Sequence, residues 1–296
     1  MRLTVPESFR STPRWWHDDA GRAWVDDLPA LVDARCAAWD LVVDGEPWHG
    51  SNALVVPVRR GSERLALRLA PPGDDVSAEV RALRLWDGRG TVRLVDADLD
   101  ARATLLERLD GGRTLEHEPH DVALPVLGGL MRTLAVPVPD DVPSTADVAA
   151  DLRDSLADRW RAVGQPTPRR QLDHVLACAA ERAAAVPGDE AVDGDLHFGQ
   201  VLAGEREPWL VVDPVLLRGD REHDLGRVLW SRLDELPDDA AVRRAFRTVV
   251  DAAEVPAERA ASWVVLRAAS YLVWGLKHGL TIDPPRCRRL LDIVCP

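Results

Sequence analysis

Between residues 192 and 213 the chain gathers three oxygen-bearing side chains at a spacing that suits phosphoryl transfer. Asp195 opens a short loop in the run Val-Asp-Gly-Asp-Leu-His-Phe-Gly-Gln-Val-Leu, Gln200 follows five residues later, and Asp213 closes the apolar run Trp-Leu-Val-Val-Asp. Such a transfer asks little covalent work of a protein. A carboxylate must orient an attacking hydroxyl and accept its proton, and ligands must hold magnesium on the phosphates. Asp195 suits the first task. Magnesium is a hard cation that takes one or two protein oxygens beside water and phosphate, so Asp213 and the amide oxygen of Gln200 suit the second. Turn chemistry would also account for isolated Asp and Gly residues between two strands, so these residues gain meaning only from the elements around them.

Those elements differ between the two halves of the chain. Residues 1–38 show helical spacing at Leu28, Leu31, Val32 and Cys36. Residues 41–43, 53–58 and 64–69 then read as strands, the last with Leu65, Leu67 and Leu69 on one face and Ala66 and Arg68 on the other. The turn before residue 53 carries Gly50 and Ser51. It could lay backbone N–H groups over nucleotide phosphates, although an ordinary hairpin explains a lone glycine equally well. Val76, Val80, Leu83 and Trp86 trace the apolar stripe of a helix, and residues 91–95 and 103–106 supply two more strands.

Residues 115–187 read as helices broken by proline at 137–143 and 165–168, and residues 237–296 as helical to the end. Asp224 is placed to cap a helix beginning near Leu225 and to brace the loop at Asp195, while Asp220 and Glu222 read as solvated. The helix over 263–280 would close one side of an acceptor pocket.

The run from Asp193 to Gln200 resembles the H-G-D-L-H-x-x-N loop of the aminoglycoside phosphotransferases, relatives of protein kinases whose loop reads H-R-D-L-x-x-x-N. The continuation Asp-Pro-Val-Leu-Leu-Arg-Gly-Asp-Arg-Glu-His-Asp is most similar to the streptomycin 6-phosphotransferase and hydroxyurea kinase branch. Two positions depart from the pattern: Asp193 stands where the family has His, and Gln200 where it has Asn.

The resemblance implies roles for other residues. Leu-Ala-Leu-Arg at 65–68 is similar to the V-A-I-K strand of kinases, so Ala66 would floor the adenine and Arg68, in place of Lys, would hold phosphate. Arg keeps the charge but is longer and carries a planar fork. Glu79 would pair with Arg68, Gly50 and Ser51 would lie over the phosphates, and backbone groups near Glu107 and Leu109 would hydrogen-bond adenine. His197 would order the loop or neutralise transferred charge rather than act as base.

Composition bounds the alternatives. A chain of 296 residues that is 46% hydrophobic and 29% charged has the make-up of a globular protein with a real core. No run approaches the length of a membrane span, and the first residues lack the apolar core of an export signal. Four cysteines without paired metal spacing fit a reducing cytoplasm. A net charge of −12 argues against nucleic acid or an anionic membrane as partner and is compatible with a cationic acceptor.

These features predict a two-lobed α+β kinase-like fold. Residues 1–108 would form a small antiparallel-sheet, nucleotide-binding lobe with a helical extension, and residues 109–296 a helical lobe with the catalytic loop and acceptor pocket. The expected activity is ATP-dependent phosphorylation of a small-molecule hydroxyl with Mg2+, GTP being the alternative donor. An aminoglycoside such as streptomycin, implying antibiotic resistance, leads the acceptors. Another small alcohol, amino sugar or hydroxyurea-like acceptor is the second reading. A pseudokinase that binds nucleotide or a partner without transfer is the third, kept open by Arg68 and Gln200.

Overall fold

The computed structural model describes residues 3–12, 18–50, 52–186 and 188–295, so Ser51 lies outside the described residues. The chain divides into two compact units, one made of residues 1–113 with 202–212 and the other of 114–201 with 213–296.

In the first unit the single turn α1 (Glu7–Arg10) precedes the long helix α2 (Asp19–Trp39). Strands β1 (Val42–Val43), β2 (Trp48–His49), β3 (Leu54–Arg60) and β4 (Glu63–Leu69) follow, then α3 (Val76–Trp86), β5 (Leu94–Asp98) and β6 (Ala103–Glu107). They make an antiparallel sheet in the order β1-β3-β4-β6-β5, with β2 also paired to β3. The β3–β4 hairpin turns at Gly61, whose φ of +59° is what a tight hairpin asks of its first central residue.

Both faces of β4 are covered, and its period-two pattern sorts the side chains. Leu65, Leu67 and Leu69 pack with Leu28 and Val32 of α2, whereas Ala66 packs with Leu83 of α3 and with Leu106, Leu109 and Leu210. Helix α3 is started by Asp75, whose carboxylate accepts the Ala78 N–H at 3.1 Å.

The sequence reading placed the lobe boundary at residue 108 and gave 202–212 to the second lobe. The structure differs. Strand β7 (Asp110–Thr114) pairs with a later hairpin, β9 (Val201–Ala203) and β10 (Trp209–Val211), in a three-stranded sheet. Burial explains the difference: Leu210 is fully enclosed in the Ala66 cluster, and Val92 N–H donates to Val211 O at 2.9 Å. Residues separated by a hundred positions share one core, which local patterning does not reveal.

The second unit is mainly helical. It contains α4 (His120–Leu134), α5 (Thr145–Ala162), α6 (Arg169–Ala184), α7 (Leu225–Ser231), α8 (Asp239–Ala253), α9 (Ala257–Lys277) and α10 (Asp283–Val294). A two-stranded ribbon of β8 (Ala191–Asp193) and β11 (Leu216–Arg218) pairs Asp193 with Leu216. Leu127, Leu130, Met131 and Leu134 lie on the buried face of α4. Helix α7 sits against α9 at Gly226, where an added Cβ would lie 2.6 Å from Arg267 Cβ, and one turn on Trp230 stacks on Tyr271 at 4.8 Å. No helix among the described residues is long and apolar enough to cross a membrane.

Helices α4 and α8 meet closely at Gly128, where a Cβ would lie 2.6 Å from Ala252 Cβ and 2.7 Å from Ala253 N. Gly128→Ala should therefore lower stability by about 1–2 kcal/mol, because overpacking outweighs the gain of about 1 kcal/mol in helix propensity. Urea denaturation checks this; an unchanged or raised midpoint would show that the helices separate without cost.

Candidate active site

In the first unit Arg68 of β4 and Glu79 of α3 form an ion pair, Nη1 to Oε2 2.6 Å, with side chains only 9% and 8% exposed. Charges so buried are tolerable only as a pair, since removing either would leave the other uncompensated in a low dielectric. Ala66 lies beneath the same sheet face. Gly50 is exposed, with open space where a Cβ would point.

The Glu107 amide donates to Arg93 O at 2.9 Å, so of its backbone groups only the carbonyl could serve adenine, and its carboxylate holds Arg206 at 3.0 Å and accepts the Arg93 N–H at 3.1 Å. The Leu109 side chain is part of the core. Sequence reasoning passed over Trp48, whose exposed ring packs on Gly111, just beyond Glu107 and Leu109, so closely that a Cβ there would come within 3.1 Å.

In the second unit the loop after β8 is tied down by carboxylates. Asp193 Oδ1 accepts the N–H of Asp195 at 3.1 Å and of Val215 at 3.0 Å, and Gly194 N–H donates to Val215 O at 2.6 Å. The residue that replaces the family His thus joins the start of the loop to the segment after Asp213. Asp224 Oδ2 accepts the Leu196 N–H at 3.3 Å, while its Oδ1 lies 3.3 Å from Arg267 Nη2 of α9. The helix cap expected of Asp224 is not made; the carboxylate is spent on the loop instead. Asp220 and Glu222 are not solvated either, because Asp220 accepts the Trp263 Nε1–H at 2.8 Å and the fully enclosed Glu222 pairs with Arg259 at 2.6 Å.

Asp195, His197 and Gln200 follow along this loop. Asp195 Oδ1 meets Arg227 Nη1 of α7 at 2.6 Å, a partner that no motif singles out. His197 Nδ1 accepts the Gly199 N–H at 3.2 Å. Gln200 Nε2 donates to Asp213 O at 2.7 Å, and because a carbonyl can only accept, this bond fixes which end of the amide is oxygen. Gln200 Oε1 is then left buried without a hydrogen-bond partner beside Asp213, whose backbone adopts φ +53°.

Burial and neighbours set the protonation states. The carboxyl of Asp195 is pushed up to about 6, chiefly by burial, with Arg227 and Arg267 opposing the rise and Asp224 and Asp213 adding to it. It is an ionised, usable base at neutral pH. Burial, reinforced by Arg227, pulls His197 down to about 3. The imidazole is neutral at pH 7, and its Nδ1 orders the loop through Gly199. Asp193 is raised well above the carboxylate range by burial and by Asp224.

The oxygens fit magnesium. Gln200 offers an unpartnered amide oxygen held in place by its own nitrogen, and Asp213 offers an exposed carboxylate. Among the described residues no group of three His, Cys, Asp or Glu could hold a metal.

Asp193 generates a pH prediction. Its folded-state carboxyl binds a proton more tightly than an unfolded one, so wild-type stability falls as pH rises through the folded value. Asparagine keeps Oδ1 as acceptor and never ionises. Asp193→Asn should thus raise the melting temperature most at pH 8 and least near pH 5; a difference that grows towards acid would refute the assignment.

Comparison with known proteins agrees with this geometry. Residues 38–279 match the family model described as aminoglycoside/hydroxyurea antibiotic resistance kinase. The chain is 39% identical to streptomycin 6-kinase of Streptomyces griseus over 96% of its own length and 94% of that protein's. It is 37% identical to hydroxyurea phosphotransferase of Kitasatospora aureofaciens, covering 90% of this chain and 78% of that one. Its fold is that of the crystal structure of aminoglycoside phosphotransferase APH(4)-Ia, with a TM-score of 0.63 at 16% identity over 90% of this chain and 98% of the other. With its loop, its buried ion pair and these likenesses together, the chain belongs to the aminoglycoside/hydroxyurea antibiotic resistance kinase family.

Proposed function

We propose that the protein is an ATP-dependent kinase that phosphorylates a hydroxyl of streptomycin. The observation that carries this reading is Asp195: a partly buried carboxylate, ionised at neutral pH, on a loop braced by Asp193 and Asp224. Identity of 39% to a streptomycin 6-kinase along nearly the whole of both chains supports the acceptor. A related phosphotransferase crystallised with AMP-PNP supports an adenine nucleotide as donor.

In this reading Asp195 orients the acceptor hydroxyl and takes its proton as the oxygen attacks the γ-phosphorus. His197 holds the loop through Gly199. Arg68, steadied by Glu79, meets phosphate, and Ala66 with the backbone near Leu109 meets adenine. Gln200 Oε1 and the Asp213 carboxylate would hold Mg2+, which when bound neutralises charge on the transferring phosphate.

The direct test is a coupled ADP-release assay over streptomycin, hydroxyurea, hygromycin B and choline. Streptomycin should give turnover, and Asp195→Asn should lower it by about 10²–10⁴-fold while leaving the rise in melting temperature with Mg·ATP intact. A fully active Asp195→Asn enzyme would assign the base elsewhere, and turnover confined to hydroxyurea would transfer the acceptor to that class. Gln200→Ala should raise the magnesium concentration for half-maximal rate about tenfold or more, the loss of roughly 1.4 kcal/mol of binding. An unchanged magnesium dependence would remove Gln200 from the metal's ligands.

A further inference from the structure

Arg227 is the contact of Asp195 that the family motif does not contain. It follows Gly226 on α7, and the seating of α7 fixes where it points. At Gly226 the helix comes so close to α9 that a Cβ would lie 2.6 Å from Arg267 Cβ and 3.3 Å from Val264 O, and Trp230 stacks on Tyr271 of α9 one turn later. Arg227 and Asp195 are partly buried, with side chains 24% and 35% exposed, so their contact is neither the weak ion pair of an open surface nor a sealed one.

From this geometry we propose that Arg227 is a positioning residue for the transfer: its guanidinium holds Oδ1 of Asp195 and so directs Oδ2 to the acceptor hydroxyl. The inference rests on the reading of Asp195 as base. As the acceptor oxygen bonds to the γ-phosphorus, its proton passes to Asp195 Oδ2, the bond to the bridging oxygen breaks, and the electron pair leaves on ADP. Arg227 keeps all its protons throughout.

A second task follows from the charges around the base. Asp224 and Asp213 bear on Asp195 from the start of α7 and the segment before β11, Asp193 of β8 is itself raised well above its ordinary value, and Arg267 from α9 is already engaged with Asp224. His197 is neutral. Arg227 is thus the cation in direct contact with the base, and it offsets the carboxylates and burial that would otherwise keep Asp195 protonated at neutral pH. Its neighbour Arg267 is engaged with Asp224, which holds the loop at Leu196.

The test compares Arg227→Gln, Arg227→Lys and Asp195→Asn/Arg227→Gln in the full chain, with streptomycin and Mg·ATP. Arg227→Gln should lower kcat at pH 7 about tenfold or more with KM for ATP within about twofold of wild type, and the acid limb of the pH profile should move up by about one unit. Arg227→Lys should restore the limb and most of the rate. The double variant should be no slower than Asp195→Asn alone, as expected of residues acting as one unit.

A carboxyl 13C titration, with the Asp195 signal assigned by its loss in Asp195→Asn, reads the same shift without any acceptor. This separates failure of the inference from a wrong choice of substrate. An unmoved Asp195 titration in Arg227→Gln, or a raised acceptor KM at unchanged kcat, would overturn the inference. If Arg227→Gln does not fold, the Arg227→Lys profile decides: a limb displaced as far as burial alone would take it shows that the guanidinium has no such role.

Discussion

Taking carboxylates out of water is the constraint around which the second unit is built. Asp193, Asp195 and Asp224 crowd one small region, and each ionised oxygen there needs a donor or a cation. The donors come from the backbone of the loop itself, from Val215 beyond the apolar strand, and from Arg227 and Arg267 on two packed helices. Satisfying the acids and fixing the loop are therefore one event. The same N–H groups that lower the energy of the carboxylates determine where Asp195 points, and the packing of α7 on α9 is felt at the base through its guanidinium.

The first unit meets a related constraint with the pair of Arg68 and Glu79. They lie on a strand and a helix that also share the apolar contacts around Ala66, Leu83 and Leu106. A buried pair of this kind adds little net stability against a hydrophobic replacement, but it penalises every arrangement in which strand and helix slide out of register. For a side chain proposed to hold phosphate, that penalty is the useful property: the guanidinium is held before any nucleotide arrives.

Much of the fold could be read from the order of residues, because the signals are local. Period two in β4 sorted Leu65, Leu67 and Leu69 from Ala66 and Arg68 onto the two faces they occupy, and the contact of Arg68 with Glu79 is the one that the resemblance to the kinase strand implied. The apolar stripe of α3 and the proline breaks of the helical half were similarly visible. What escaped notice was set by distant partners. Arg227 is one arginine among many until α7 docks. Asp224 braces the loop as expected, at Leu196, but leaves its helix uncapped. Glu107 offers an amide only until Arg93 takes it.

The excursion of residues 202–212 has a consequence for how the polypeptide can be handled and made. The chain leaves the second unit after Val201 and re-enters it at Asp213, having delivered Leu210 to the core of the first. The units are covalently interlaced, so no single cut yields two intact modules. A fragment ending at Arg113 would lack Leu210 from its core, and its complement would carry residues 202–212 without the core they enter. During synthesis the first unit must wait, its interior unfinished, until Val212 has left the ribosome.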